Sequence, residues 1–165
     1  MIALSTKIEQ FERVIAYDLG ARDHQGRERP RVVLLHATLP GRSPQEIARS
    51  FERLRSLRPR LTKAGLRTIL SFRPDAAVPS DETARAVAIA WAVRQGFQDF
   101  TVVRHDDRHL HICSSRVRRD GTVVSDSHDF RRSEMVVRDL EREFQIAPDR
   151  SSHLTDPAVS PPLAG

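Results

Sequence analysis

Apolar residues recur at helical spacing through Ile8, Phe11, Val14 and Ile15, which predicts an amphipathic helix over residues 6–17 with Tyr17 near its end. The segment 18–31 that follows carries Gly20, Gly26, Pro30 and charges of both signs, and reads as a polar loop. Val32 to Leu35 is a short β-branched and apolar run, expected as a strand. Ser43-Pro44-Gln45-Glu46 has the form of a capping box with proline at the first helical position. Ile47, Phe51, Leu54 and Leu57 then carry the helical period until Pro59 stops it.

Leu66 to Phe72 reads as a strand ended by Pro74, and Ser80 caps a helix whose Ala84, Val87, Ala88 and Trp91 form one face before Gly96. Phe100 to His105 and Leu110 to Val117 are expected as strands joined by a very short polar turn. After Asp120-Gly121 a shorter strand is expected at Thr122 to Val124, and Phe130, Val137, Leu140 and Phe144 mark a last helix. This order predicts an α+β fold with a largely antiparallel central sheet and flanking helices. Residues 1–146 form one domain in this reading, and 147–165 a disordered proline-rich tail. No internal repeat is visible.

Composition narrows the function. The chain has 165 residues, enough for one domain, with 27 basic against 22 acidic residues. Its lysines are Lys7 and Lys63, so nearly all the positive charge is arginine, whose planar fork grips phosphate oxygens and points to a polyanionic partner. No apolar stretch is long enough to span a membrane. The N-terminus lacks a secretory pattern and Cys113 has no partner for a disulfide, so a cytoplasmic location with a reduced thiol is expected.

Three of the seven histidines fall between residues 105 and 111. Strand alternation puts His109 and His111 on one face. If 106–108 form the hairpin loop, His105 stands opposite His109 and the three imidazoles converge. Such a trio suits an open divalent-metal site, with Asp106 and Asp107 placed to accept a ligand's spare ring N–H. A histidine-rich surface hairpin, or a closed zinc site completed by Cys113, is the alternative.

With these residues in view, the chain resembles the relaxase/mobilisation nuclease family, MOB-P-like members of the HUH endonuclease superfamily. The likeness rests on Phe11 to Tyr17, Ser56-Leu57-Arg58-Pro59, Ile69 to Pro74, His105 to His111, Ser114 to Gly121, and Ser125 to Arg132. The resemblance implies a DNA nickase and transesterase. It would cleave single-stranded DNA at an origin of transfer through a 5′-phosphotyrosine, while a metal held by three histidines polarises the scissile phosphate. By position, Tyr17 is the nucleophile, His105, His109 and His111 hold Mg2+ or Mn2+, Asp106 and Asp107 support them, and Ser71 contacts substrate. The histidine loop is shorter than is usual in the family, and the likeness suggests a short or truncated form. Accessory mobilisation proteins are possible partners. A replication or transposition nuclease of the same superfamily, or a non-catalytic single-stranded DNA-binding module, are the competing functions.

A phenol is a poor nucleophile at neutral pH and needs a cationic neighbour; Arg13, one turn before Tyr17, is a candidate. Arg53, Arg55, Arg58, Arg60, Lys63, Arg67 and Arg73 form a run of positive charge without an acid, leading into the strand that carries Ser71. It reads as a groove for a single-stranded backbone. Phe72 and Trp91 are the candidate stacking residues, although core positions suit both.

Overall fold

The computed structural model describes residues 1–127 and 129–149. Its elements are β1 (Ile2–Ile8), α1 (Phe11–Asp18), β2 (Val33–Ala37), α2 (Pro44–Arg55), β3 (Gly65–Ser71), α3 (Asp81–Arg94), β4 (Phe100–Arg104), β5 (His109–Ser115) and α4 (Asp129–Glu143). The strands form one sheet in the order β1-β3-β5-β4-β2, and every neighbouring pair is antiparallel. The expected α+β class with an antiparallel sheet and flanking helices is what the chain adopts.

Strand alternation sorts the sheet into two faces. Gly65, Arg67, Ile69 and Ser71 of β3 share one face with His109, His111 and Cys113 of β5, because these residues pair directly or diagonally. Helices α1 and α2 cover this face through Phe11, Ile15, Ile47 and Phe51, which cluster with Ile8 and Cys113. The other face, with Leu70, Leu110 and Ile112, packs under α3 and α4 against Val87, Trp91, Val137 and Leu140. Phe72 and Trp91 belong to this second core, only 4% and 1% exposed, so neither is available for stacking on a base.

Local chemistry starts the helices as the sequence indicates. Ser43 accepts a hydrogen bond from the Glu46 amide at 3.2 Å, and the Glu46 carboxylate reaches back to the amide of Arg42 at 2.6 Å, one residue before the usual partner in a capping box. Ser80 caps α3 by accepting from the Thr83 amide at 3.1 Å, with Asp81 and Glu82 in the first turn to complement the helix dipole. Helix α1 has no side-chain cap and is held by packing, its Phe11 stacked on Phe51 with ring centres 4.8 Å apart.

Two sequence expectations need correction. The helix expected over 6–17 begins only at Phe11, because residues 2–8 pair along their whole length with β3 as an edge strand. Ile8 joins Phe11 and Ile15 in one cluster from the strand side, which imitates helical spacing. The strand expected at Thr122–Val124 is instead a tight turn with an isolated bridge between Val117 and Val123. Gly121 takes φ 81° there, and Arg118 N–H to Thr122 O and Val124 N–H to Arg116 O flank that single bridge on either side. Of the tail expected from residue 147, residues 150–165 lie outside the described residues, as does His128. Among the described residues no helix is long and apolar enough to cross a membrane.

Gly65 lets β1 and α1 pack tightly on β3: a Cβ there would stand 2.5 Å from Ile8 Cγ1 and 2.7 Å from Phe11 Cε1. Gly65→Ala is therefore expected to destabilise the fold by about 1–3 kcal/mol. Urea unfolding measures it, and an unchanged midpoint would contradict the close packing.

Candidate active site

Helix α1 ends over the histidine-bearing face, and its last residue anchors it there. Asp18 is 1% exposed, and its Oδ1 accepts from Arg67 Nε at 3.1 Å and Nη2 at 2.8 Å. The Asp18 carbonyl accepts from His105 Nε2. Arg29 closes the helix end by donating from Nη1 to the carbonyls of Tyr17 and Gly20, both at 2.6 Å. Tyr17 is held in consequence: Arg29 Cζ lies 4.4 Å from its ring centre, Arg67 Cζ 5.4 Å, and His105 stands edge-on at 6.3 Å.

Strand β4 ends at Arg104 and β5 begins at His109, so His105 lies in the connecting loop rather than in the strand expected to include it. The last rung pairs Arg104 with Leu110. Arg104, buried on the opposite face, shapes the loop by donating to the carbonyls of Asp106 at 3.0 Å and Asp107 at 2.9 Å, and to Asp81 Oδ1 at 2.8 Å. Asp106 Oδ1 accepts from the amides of Arg108 and His109 at 2.7 and 2.8 Å. These bonds and the His109 ring hold the Asp106 carboxyl below its ordinary range although burial pushes it up.

The loop brings His105 onto His111, with ring centres 4.0 Å apart. His109 shares the sheet face with His111 but turns its Nδ1 to Asp106, 2.9 Å from both oxygens, and its side chain is 45% exposed. Asp107 contributes its backbone carbonyl, not its carboxylate, to the loop.

The hydrogen-bond partners assign the ring tautomers. A guanidinium only donates, so His111 Nδ1, 2.7 Å from Arg67 Nη2, is the ring's lone-pair nitrogen and is already engaged. A carbonyl only accepts, so His105 carries its proton on Nε2. His109 donates from Nδ1 to Asp106 and keeps its lone pair on Nε2. Among the described residues, no three of His, Cys, Asp or Glu form a group able to hold a metal ion. The Mg2+ or Mn2+ site expected from His105, His109 and His111 thus does not fit these side chains as they stand. Cys113, the alternative fourth ligand, is fully buried in the core under α1, where burial pushes its thiol well above the usual range.

The basic run does not form one groove. Arg67 reaches Tyr17 and His111, and Ser71 sits opposite His109 in register. Lys63 pairs with Glu9 at 2.8 Å, just before the end of β3 farthest from Ser71. Arg58 donates to the Gly121 carbonyl at 2.6 Å, Arg73 is held by Asp75, and Arg60 is exposed. Arg13 is exposed as well, and the guanidiniums on the Tyr17 ring are those of Arg29 and Arg67. Arg29 gave no sequence signal, being one arginine among several in a polar loop. A cavity of about 160 Å3 lies on the other face of the sheet, beside Ser5, Trp91 and Phe97, and neither Tyr17 nor any of the three loop histidines lines it.

Comparison with protein families supplies the class. The nuclease-domain model of MobA/VirD2-like relaxases matches residues 21–146, most of the chain. The chain belongs to the relaxase family, and this is its nuclease domain. The match begins just past Tyr17, so the place of that residue rests on the geometry described above. No curated protein and no solved structure matches the chain.

Burial, then the neighbouring His105 and the Arg67 guanidinium, push the His111 pKa down to about 2. Burial also lowers that of His105, against the pull of the Asp18 carbonyl. The unfolded chain takes up a proton near pH 6.5 that folded His111 refuses, so its contribution to stability is complete above that pH and declines below it. Between pH 6.5 and 5 the decline is on the order of 1 kcal/mol per pH unit for this ring. Urea unfolding across that range is expected to show a shallower slope for His111→Gln than for the wild type. Equal slopes would mean that His111 is not held neutral.

Proposed function

We propose that this relaxase-family nuclease is a nickase and transesterase that cuts single-stranded DNA at an origin of transfer with Tyr17 as nucleophile. The observation that carries the reading is the setting of Tyr17. It stands at a pinned helix end, against the guanidiniums of Arg29 and Arg67 and edge-on to His105, above the face that holds His111.

In this reading the Tyr17 oxygen attacks the scissile phosphorus, a bond forms between them, and the bond from phosphorus to the 3′ oxygen breaks. The phenolic proton passes to the imidazole of His105, which is neutral at neutral pH and has its free lone pair on Nδ1. The 3′ oxygen takes a proton from water and leaves as a hydroxyl. The phosphotyrosine retains the energy of the cleaved diester, so rejoining needs no nucleotide. Family members generally use a divalent metal in this chemistry. Ser71, opposite His109, is the proposed contact for the strand near the cut. Arg13, Arg58, Arg60, Lys63 and Arg73 are the proposed phosphate contacts outside it.

Tyr17→Phe is expected to lower nicking of a supercoiled plasmid carrying the origin by at least about a thousandfold, with DNA affinity unchanged. Nicking that persists in the Phe variant would assign the attack to another residue. Binding without nicking in the wild type would favour the non-catalytic DNA-binding reading.

A further inference from the structure

We infer that Arg67 is the cation that meets the scissile phosphate in this chain, so that a guanidinium does here what the family generally does with a divalent metal. The inference rests on the transesterase reading above. Arg67 lies opposite Cys113 in register, one alternate position along the strands from the pair of Ile69 and His111, so its side chain rises on the face that carries His111. The lone pair of His111 Nδ1 is taken by Arg67 Nη2 at 2.7 Å. Nε and Nη2 are also fixed on Asp18 Oδ1, at 3.1 and 2.8 Å, which sets the plane of the fork.

Among the described residues Nη1 has no hydrogen-bond partner, and the side chain is 21% exposed with Cζ 5.4 Å from the Tyr17 ring centre. The free corner of the fork is therefore the part available to a ligand beside Tyr17. With Arg67 Cζ 5.4 Å from the Tyr17 ring centre, a phosphodiester attacked by the phenol oxygen lies within reach of the guanidinium. Guanidinium is always charged and matches phosphate oxygens in shape, and a fixed donor of this kind strengthens as negative charge accumulates on them in the transition state. Asp18 balances part of the Arg67 charge, and Arg29, 4.4 Å from the same ring, adds a second cation. A metal on His111 Nδ1 would have to displace the guanidinium and then stand beside it, at a Coulombic cost.

The test has two arms, both on the full chain. In the first, wild-type protein is titrated with Mn2+ while the ring signals of His105, His109 and His111 are followed by NMR. No stoichiometric binding and no selective broadening at His111 is expected. Stoichiometric Mn2+ binding that broadens His111 overturns the inference whatever the DNA result. In the second, cleavage of single-stranded DNA from the origin region is timed in EDTA, in Mg2+ and in Mn2+. The wild-type rate is expected to be the same in all, and Arg67→Lys, which keeps a charge beside Asp18, to be slower by about 100-fold. Cleavage that vanishes in EDTA and returns with Mn2+, or an Arg67→Lys rate equal to wild type, overturns the inference. No cleavage under any condition counts against the transesterase reading instead, and the Mn2+ titration still decides the place of Arg67.

Discussion

The site depends on one buried ion pair, Asp18 with Arg67. Burial pushes the Asp18 carboxyl up, and the two Arg67 hydrogen bonds to its Oδ1 pull it part of the way back, while Oδ2 has no hydrogen-bond partner among the described residues. Removing Arg67 would leave the buried Asp18 carboxylate without its cation, at a cost of roughly 3–5 kcal/mol. The pair ties the end of α1 to β3, and that tie sets where Tyr17, His105 and His111 stand relative to one another. Asp18 also offers its carbonyl to His105, so one residue positions both the cation and the imidazole nearest the tyrosine.

Arginine serves the fold at least as much as it serves a polyanion. Arg104 and Arg116 are buried and satisfy backbone carbonyls around the histidine loop and the Asp120-Gly121 turn. Arg108 holds the carbonyls of Arg73 and Ala76, and Arg29 those at the end of α1. A guanidinium suits this work because its donors span two or three carbonyls in a fixed plane and it stays charged when partly buried. The count of basic residues therefore overstates the charge presented to DNA. The cations nearest the proposed chemistry are two that also hold the structure together.

Much of the fold was legible because its signals are local. The Ser43 and Ser80 caps, the alternation in β4 and β5 and the turn at Gly121 each follow from a few adjacent residues. Strand β1 was hidden because Ser5, Thr6 and Lys7 carry no apolar alternation, and its partner lies about sixty residues away, Ser5 against Thr68. The shared face of His109 and His111 was readable from alternation. The turning of His109 to Asp106, and the occupation of His111 by Arg67, were not, since each is decided by side-chain hydrogen bonds that spacing does not encode. Arg67 was visible only as one charge in a run of seven; its pairing with Asp18 joins residues that only the folded sheet brings together.

Tyr17, held against Arg29 and Arg67, is the residue proposed to take the DNA strand covalently. Incubating the protein with single-stranded DNA from the origin region, digesting the product and locating the attached nucleotide by mass spectrometry tests it most directly. A phosphate joined to the Tyr17 oxygen is expected, with a free 3′-hydroxyl on the released strand. Attachment at any other side chain, or cleavage to a 3′-phosphate with no protein adduct, would contradict it.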